Sequence, residues 1–208
     1  MIKLSVVIIC LNEERNIARC LNSVEGIADE IIVLDSGSTD NTKTICENAG
    51  VRFFTHEFIG HIEQKNHALS LAEFPYILSL DADEALSDEL RLSIMETKKN
   101  WHADGYTMNR LANYCGSWIR HGSWYPDVKL RLFHREKGAW GGSNPHDKLI
   151  LNPNTTAEHL SGDLLHYTYY SEEEHRERTF KYANISAQAL LNRGQKALFF
   201  QPYISSAA

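Results

Sequence analysis

Two aspartates separated by a single alanine, Asp81 and Asp83, come directly after a short apolar run that ends at Leu80. In an extended chain alternate side chains point to the same side, so both carboxylates can face one cation. Mg²⁺ and Mn²⁺ prefer oxygen ligands, and the phosphates of a substrate commonly complete their coordination. The pair therefore predicts a site for Mg²⁺ or Mn²⁺ with a phosphorylated ligand. A solvated acidic turn is the alternative.

A second polar group, residues 35–40 (DSGSTD), also follows an apolar run. It combines a carboxylate with a glycine and several hydroxyl groups. In one interpretation Asp35 accepts hydrogen bonds from the base or ribose of a nucleoside, beside Leu11, Asn12 and Glu13, which follow the first apolar run. In the other interpretation Asp35 belongs to an ordinary helix entry. The residues themselves leave both open.

The elements that must position these residues alternate between strand and helix. Buried strands are predicted at residues 4–10, 30–34, 51–55 and 76–80. Helical spacing or a capping cluster follows each of the first three. This alternation predicts an α/β fold with a mainly parallel central sheet flanked by helices. Ligands of such sheets bind beyond the carboxyl ends of the strands, so Asn12, Asp35 and Asp81 are expected at one rim.

After Ser87, a predicted helix N-cap, shorter aromatic-rich segments indicate further strands and loops. No linker of Pro, Ser or repeated charges separates them from the first part of the chain. We therefore expect a single domain over residues 1–208, with a first half at 1–86 and a second half at 87–194.

The C-terminal region opens with a capping box, SEEE, which predicts a final helix from Ser171 to Arg193. Residues 195–208 are expected to form a C-terminal stub. The abrupt end at Ala208 suggests that a longer natural chain was shortened.

Composition and charge argue against several classes of protein. The 27 acidic and 21 basic residues give a net charge of -6, which disfavours a nucleic-acid partner. No apolar run reaches the roughly 18 residues of a membrane-spanning helix, and the N-terminus lacks a secretion signal. We expect a cytoplasmic protein with no transmembrane segment, and peripheral contact with the inner face of the cytoplasmic membrane stays open. The isolated cysteines are expected to be reduced and structural.

Five segments follow one another in an order that is typical of a known family. They are residues 5–14 (SVVIICLNEE), 29–42 (DEIIVLDSGSTDNT), 64–66 (QKN), 78–84 (LSLDADE) and 121–133 (HGSWYPDVKLRLF). Together they resemble the family 2 glycosyltransferases with a GT-A fold, in particular the branch that includes lipopolysaccharide core glucosyltransferases. The resemblance implies an inverting, metal-dependent, non-processive enzyme that moves a sugar from a nucleotide-diphospho-sugar to a hydroxyl of a glycan or glycolipid. It also implies a role in surface polysaccharide or lipopolysaccharide core assembly.

The resemblance further assigns roles to residues of the matching segments. The implied nucleotide-sugar site consists of Leu11, Asn12, Glu13, Asp35, Lys65 and Asp81. Within it Lys65 approaches the diphosphate, where its positive charge offsets the charge of the departing nucleotide. The alternative for Lys65 is an ordinary surface lysine. Asp83 is implied to bind the metal, with Asp81 beside it. His166 is a further candidate ligand, and a satisfied core histidine is the alternative.

His146 and Asp147 occupy the position where similar enzymes have a histidine followed by an acid, commonly Glu, that acts as general base. A carboxylate at this place can remove the proton of the acceptor hydroxyl, and a single displacement then inverts the anomeric centre. Asp is shorter than Glu by one methylene, so its loop must bring it closer. The alternative for Asp147 is a loop or capping acid.

An aromatic segment supplies the candidate acceptor site. The residues expected to contact the acceptor are Trp124, Tyr125, Asp127, Arg131 and His146. Aromatic faces suit the C–H surfaces of a pyranose, and the polar groups can bind its hydroxyls. Core packing is the alternative, and it is favoured for Trp118.

This chain lacks the sequences that two rival classes of enzyme require. Processive synthases carry a Gln-x-x-Arg-Trp segment and membrane helices, and sugar nucleotidyltransferases carry a glycine-rich loop after the first strand. A catalytically silent module that binds a nucleotide-sugar or carbohydrate stays open as an alternative function. A UDP-sugar is the family-level expectation for the donor.

Overall fold

The first part of the chain follows the predicted alternation of strand and helix. In chain order the elements of the computed structural model are β1 (Leu4–Cys10), α1 (Ile17–Val24), β2 (Glu30–Asp35), α2 (Thr42–Asn48), β3 (Arg52–Thr55), α3 (His61–Ser70), β4 (Tyr76–Asp81), β5 (Glu84–Leu86), α4 (Asp88–Lys99), β6 (Gly105–Tyr114), β7 (Ser117–Trp118), β8 (Asp127–His134), β9 (Gly138–Ser143), β10 (His146–Leu151), β11 (Ala157–Tyr169) and α5 (Glu172–Asn192). Single 3₁₀ turns cover Gly122–Trp124 and Arg135–Lys137. The structure describes residues 1–144, 146–192 and 194.

One large sheet runs through the molecule in the strand order β3-β2-β1-β4-β8-β6-β11-β5, with β7 paired to β6. The pairs among β3, β2, β1 and β4 are parallel, as predicted. Beyond β4 the sheet becomes mixed, because β8 is antiparallel to both of its neighbours while β6 and β11 are parallel. β9 and β10 form a separate antiparallel hairpin.

The sheet separates two apolar layers, and β1 contributes to both. Val6 and Ile8 pack with α1 and α4 on one face, whereas Val7 packs with α3 and Trp140 of β9 on the other. This division follows from the alternation of side chains along a strand. Because β1 is buried on both faces, it reads as a continuous apolar run rather than as an alternating one.

The chain divides into two compact units, Met1–Tyr170 and Ser171–Ala208. All of the strands named above belong to the first unit, which also holds both predicted halves as far as Tyr170. The second unit contains α5, where the hydroxyl of Ser171 accepts a hydrogen bond from the backbone N–H of Glu174 at 3.1 Å. This is the predicted capping interaction. Arg193 and the stub at 195–208 lie outside the described residues.

Several elements of the second half were not predicted. β9 contains three glycines, β10 begins with His and Asp, and β11 carries a register shift between His159 and Asp163. Such sequences show neither a clean apolar alternation nor a continuous apolar run, so they lack the usual strand signal. The expectation that Trp118 packs in the core is also wrong, because 37% of its surface is exposed.

The cysteines and the helices bear on two further expectations, reduced thiols and the lack of a transmembrane segment. The four cysteines are free thiols, and Cys10, Cys20 and Cys46 are buried whereas Cys115 is exposed. Within the part of the chain that the structure describes, no helix combines the length and apolar character needed to cross a membrane.

Candidate active site

The loops that follow β1 and β2 are joined by hydrogen bonds. The N–H of Asn12 donates to Oγ of Ser38 at 2.7 Å, and the N–H of Glu13 donates to Oγ1 of Thr42 at 2.8 Å. Asn12 has a φ of 54°, in the left-handed region that Asn tolerates better than most residues. The two loops therefore form one surface at the carboxyl ends of the strands. We call this surface, residues 11–13 and 35–42, the loop platform.

Asp35, a residue of the loop platform, is buried and is held by donors from its own turn. One carboxylate oxygen accepts the N–H groups of Gly37 and Ser38 at 2.9 and 2.8 Å. The other accepts the hydroxyl of Ser38 and lies 3.4 Å from the thiol of Cys10. Burial raises the pKa of Cys10, and the adjacent Asp35 raises it further. Asp35 thus shapes the turn, and its contact with a nucleoside stays a prediction.

The other predicted nucleoside contacts lie at the edge of the loop platform. Leu11 is exposed, so an apolar side chain is available to a flat ring. The carboxylate of Glu13 accepts a hydrogen bond from the side-chain amide of Asn16 at 2.7 Å. Asp35 and Asp81 lie on either side of the end of β1, since Cys10 pairs with Asp35 and Ile9 pairs with Asp81. Their backbones are therefore about 10 Å apart.

The three residues of the QKN segment lie on α3 and contact three different elements. The amide of Gln64 donates to Oγ of Ser36 at 3.1 Å, at the loop platform. Asn66 exchanges two hydrogen bonds with the backbone of Trp140, at 2.9 and 3.0 Å, and so fixes the β9–β10 hairpin against α3. Lys65, between them in the sequence, points to the C-terminal end of β4 and to the start of β10. One helical turn thus sets the relative positions of the loop platform, the hairpin and β4.

Lys65 is buried, with only 5% of its surface exposed, and it connects two aspartates that are distant in sequence. Its Nζ atom lies 2.9 Å from Oδ1 of Asp81 and 2.8 Å from Oδ2 of Asp147. It also lies 4.1 Å from the centroid of the Trp140 ring, a cation–π contact. The alternative of a surface lysine is therefore wrong.

Arg131 is buried as well, and it bonds to two carboxylates. Its Nη2 atom lies 3.1 Å from Oδ2 of Asp81 and 2.8 Å from Oε1 of Glu84. The side chain of Glu84 is fully buried and also accepts the N–H of Asp81 at 3.0 Å. Five charged side chains thus form a continuous series of contacts in which negative and positive charges alternate. We call these residues, Asp147, Lys65, Asp81, Arg131 and Glu84, the charge cluster.

Opposite charges dominate the ionisation of the charge cluster. Burial alone raises the pKa of Asp81, but the charges of Lys65 and Arg131 outweigh it and hold the pKa well below its usual range. Burial alone lowers the pKa of Arg131, and Glu84 and Asp81 outweigh that effect. Asp81, which is partly buried, and Arg131, which is buried, therefore stay ionised at neutral pH.

Asp81 and Asp83 contact different charged side chains. Residues 82 and 83 form a turn between β4 and β5, so the alternation expected for an extended chain does not apply. Asp81 turns to Lys65 and Arg131, whereas Oδ2 of Asp83 lies 3.3 Å from Nε2 of His166. Asp83 and His166 therefore form a candidate pair of ligands, and a cation shared by Asp81 and Asp83 stays a prediction.

The pair of Asp83 and His166 can be tested against the coordination of a divalent cation. Adjacent ligands of an octahedral Mg²⁺ lie about 3.0 Å apart, and the observed oxygen to nitrogen distance is 3.3 Å. No group of three or more His, Cys, Asp or Glu side chains suited to a metal occurs among the described residues. The pair therefore fits a cation that takes its remaining ligands from phosphate oxygens and water.

The structure places the five predicted acceptor residues in different surroundings. Trp124 and Asp127 line an open cavity of about 260 Å³ that also contains His166. Arg131 is turned away from solvent by its carboxylate partners, so its predicted contact with an acceptor is corrected to a role inside the charge cluster. Tyr125 donates its hydroxyl to Asp163 at 2.9 Å. A separate element supplies His146, which is exposed at the start of β10.

Two residues of the site were missed at the sequence level. Glu84 stands in the LSLDADE segment, where its place beside two aspartates was a usable signal. Trp140 lies among glycines in β9, outside the five recognised segments, yet its buried ring contacts both Lys65 and Arg131, at 4.1 and 5.1 Å. No local pattern marks Trp140, because its role depends on two cations that come from other elements.

Comparison with known proteins agrees with this architecture. The family model described as Glycosyl transferase family 2 matches residues 5–152. The chain belongs to glycosyl transferase family 2. The match covers the loop platform, the charge cluster and the hairpin that carries Asp147. The chain is therefore a glycosyltransferase that uses a nucleotide-sugar, and its α/β fold is of the GT-A type.

Two curated relatives align with almost the whole chain. An uncharacterized glycosyltransferase of Rickettsia typhi is 31% identical over 94% of this chain and 70% of its own length. The lipopolysaccharide core biosynthesis glycosyltransferase LpsC of Rhizobium meliloti is 30% identical over 95% of this chain and 75% of its own length.

A similar solved structure is glucosyl-3-phosphoglycerate synthase from Mycobacterium tuberculosis in complex with Mg²⁺ and UDP. It is 20% identical, has a TM-score of 0.48, and is matched over 65% of this chain and 57% of its own. The chain spans 22% of the length of Staphylococcus aureus TarS, another similar structure.

Proposed function

We propose that this glycosyltransferase is inverting, metal-dependent and non-processive, and that it transfers one sugar from a nucleotide-diphospho-sugar to a hydroxyl of a glycan or glycolipid. The meeting of Lys65 with both Asp81 and Asp147 carries the proposal. It unites the β4 end, where the donor is expected, with the hairpin that bears the expected base. These residues lie 16 and 82 positions from Lys65 along the chain, so only the fold brings them together.

Asp147 is the proposed general base. The acceptor oxygen attacks the anomeric carbon, its proton passes to the carboxylate of Asp147, and the bond between the anomeric carbon and the phosphate oxygen breaks. The nucleotide diphosphate leaves with the electron pair of that bond. Because the attack comes from the face opposite the leaving group, a single displacement inverts the configuration of the sugar. Lys65 donates a hydrogen bond to Asp147 and so fixes the direction of its carboxylate.

Asp83 and His166 are the proposed protein ligands of Mg²⁺ or Mn²⁺. A bound cation would offset the negative charge that develops on the departing diphosphate. Lys65 is the proposed partner of the same diphosphate, while Leu11, Asn12 and Glu13 at the loop platform take the nucleoside. A UDP-sugar is the proposed donor.

The proposed setting is the assembly of a surface polysaccharide or lipopolysaccharide core, on the cytoplasmic side of the membrane. The relative LpsC supports this proposal because its name places that protein in lipopolysaccharide core biosynthesis. A lipid-linked acceptor would bring the enzyme to the inner face of the cytoplasmic membrane as a peripheral protein.

Nucleotide release tests the mechanism. With Mn²⁺ and a panel of nucleotide-sugars, we expect release by the wild type and a loss of at least about 100-fold in Asp83→Ala. Asp147→Asn should lose transfer to a similar degree while it keeps its affinity for the donor. Glu96→Gln, a change of an exposed carboxylate on α4, is the matched control and should leave the rate unchanged.

Each outcome distinguishes among the proposals. Unchanged release in Asp83→Ala would remove the metal role, and unchanged transfer in Asp147→Asn would remove the base. A wild type that binds a nucleotide-sugar but never releases nucleotide would instead be a catalytically silent binding module.

A further inference from the structure

The cavity beside His166 has a floor made by two neighbouring strands. Arg110 and Ala112 come from β6, and His166 and Thr168 come from β11. In each strand these residues alternate with others, so they share one face of the sheet. His166 pairs with Ala112 in the strand register. The floor therefore includes His166, one of the two proposed cation ligands, beside which the proposed transfer takes place.

The walls of the cavity are aromatic. Trp124, on the 3₁₀ turn, and Tyr169, at the end of β11, both line it. The ring of Tyr114 contacts each of them edge-on, with centroid distances of 6.0 and 5.9 Å. Trp124 is exposed, so its ring remains accessible to a ligand. Such a surface suits the C–H face of a pyranose ring.

The charges of the cavity are already paired within the protein. Arg110 is the only Lys or Arg side chain in the described lining. It lies 2.8 Å from Asp127, which faces it across β6 and β8, and 3.6 Å from Glu84. Asp127 in turn lies 2.8 Å from Lys129. Burial alone raises the pKa of Asp127, but Lys129 and Arg110 outweigh it and lower the pKa, so this carboxylate stays negative.

We propose that this cavity binds one uncharged pyranose ring of the acceptor and selects against sugars that carry a carboxylate or phosphate. An anionic sugar would have to displace Asp127 from Arg110, and it would then lie beside the negative charge of Asp127 in the cavity lining. An uncharged ring can stack on Trp124 and exchange hydrogen bonds with Asp127 and Arg110 without breaking that ion pair. That the bound sugar is the acceptor rests on the proposed function, whereas the selection by charge rests on the cavity itself.

Saturation-transfer NMR on the full chain tests the selection without donor or metal. The probes are the methyl pyranosides of glucose, mannose and galactose, each compared with the matching uronic acid. We expect at least one neutral pyranoside to bind, with an affinity about tenfold above that of its uronic acid. Trp124→Ala should abolish this binding, while Phe58→Ala, a change of an exposed aromatic ring between β3 and α3, should leave it unchanged.

Asp127→Asn is a second variant for the same binding experiment. It releases the charge of Arg110, so the preference should move toward the uronic acid, and the ratio of the two affinities measures this change. The proposal is overturned if the wild type binds uronic acids equally well, if no neutral pyranoside binds, or if binding survives Trp124→Ala. If the wild type releases no nucleotide but still binds a neutral pyranoside in a way that depends on Trp124, only the proposed function fails. The charge selection would then stand.

Discussion

Asp35 and Asp81 lie at the same rim of the sheet, on either side of β1, yet they are stabilised in different ways. Asp35 is held by backbone N–H and hydroxyl donors, mostly from the next three residues. Asp81 is held by Lys65 and Arg131, which are 16 and 50 positions away. The comparison shows that one aspartate builds a loop, whereas the other joins three elements of the fold through charge.

The two arrangements respond differently to the loss of a partner. When a neutral hydrogen-bond donor is removed, the acceptor oxygen is left unsatisfied, which costs about 1–3 kcal/mol if that oxygen is buried. A buried cation leaves behind an uncompensated charge, which costs about 3–5 kcal/mol. The charge cluster should therefore be the more sensitive of the two regions, and this difference can be measured.

The largest effect is expected for Arg131→Met. It removes the cation shared by Asp81 and the fully buried Glu84, which keeps the more distant Arg110 at 3.6 Å, so the free energy of unfolding should fall by about 3 kcal/mol or more. Urea unfolding followed by circular dichroism measures the loss. Lys99→Met is the matched control, because Lys99 is half exposed in its pair with Glu96 and should lose less than about 1 kcal/mol. Equal losses in the two variants would contradict the importance of burial.

A smaller effect is expected for Asp35→Asn. The amide keeps one acceptor oxygen but presents N–H₂ to donors that need an acceptor, so the free energy of unfolding should fall by about 1–3 kcal/mol. The same unfolding experiment measures it, with Glu47→Gln on the exposed side of α2 as control. A loss larger than that of Arg131→Met would reverse the comparison between the two regions.

The smallest effect concerns the acid sensitivity of Asp81. Its pKa is lower in the folded chain than in the unfolded chain, so its stabilising contribution is present above about pH 4. The contribution is lost as the pH falls below that value toward the folded pKa. Between pH 5 and pH 3 the wild type should therefore lose on the order of 1 kcal/mol more stability than Asp81→Asn. Parallel pH dependences of unfolding in the two proteins would refute this expectation.

The parallel half of the sheet was predictable from the sequence. Strands β1 to β4 begin and end within one residue of the predicted ranges, because each is a short apolar run bounded by turn or capping residues. The hairpin of β9 and β10 was not predictable in this way. Its glycines and polar residues lack a strand pattern, and hydrogen bonds from Asn66 and Lys65 of α3 hold it in place.

The candidate site was also predictable only in part. Asp81, Asp83, Lys65 and Asp147 could be nominated from their motifs, but their pairings could not. The turn at residues 82 and 83 sends Asp83 to His166 and leaves Asp81 with the charge cluster. Arg131 was expected at the acceptor, since a motif gives the type of a side chain and not its burial.

The sequence by itself determined the parallel strands, the helix caps at Ser87 and Ser171, and the turn around Asp35. Each of these depends on hydrogen bonds and apolar spacing within a few residues, which a linear pattern records. The tertiary structure alone decided that Lys65 and Arg131 are buried and which carboxylates they contact. The reason is physical: the strength of a charge interaction depends on distance and on the removal of water, and both are set by packing between elements that are distant in the chain.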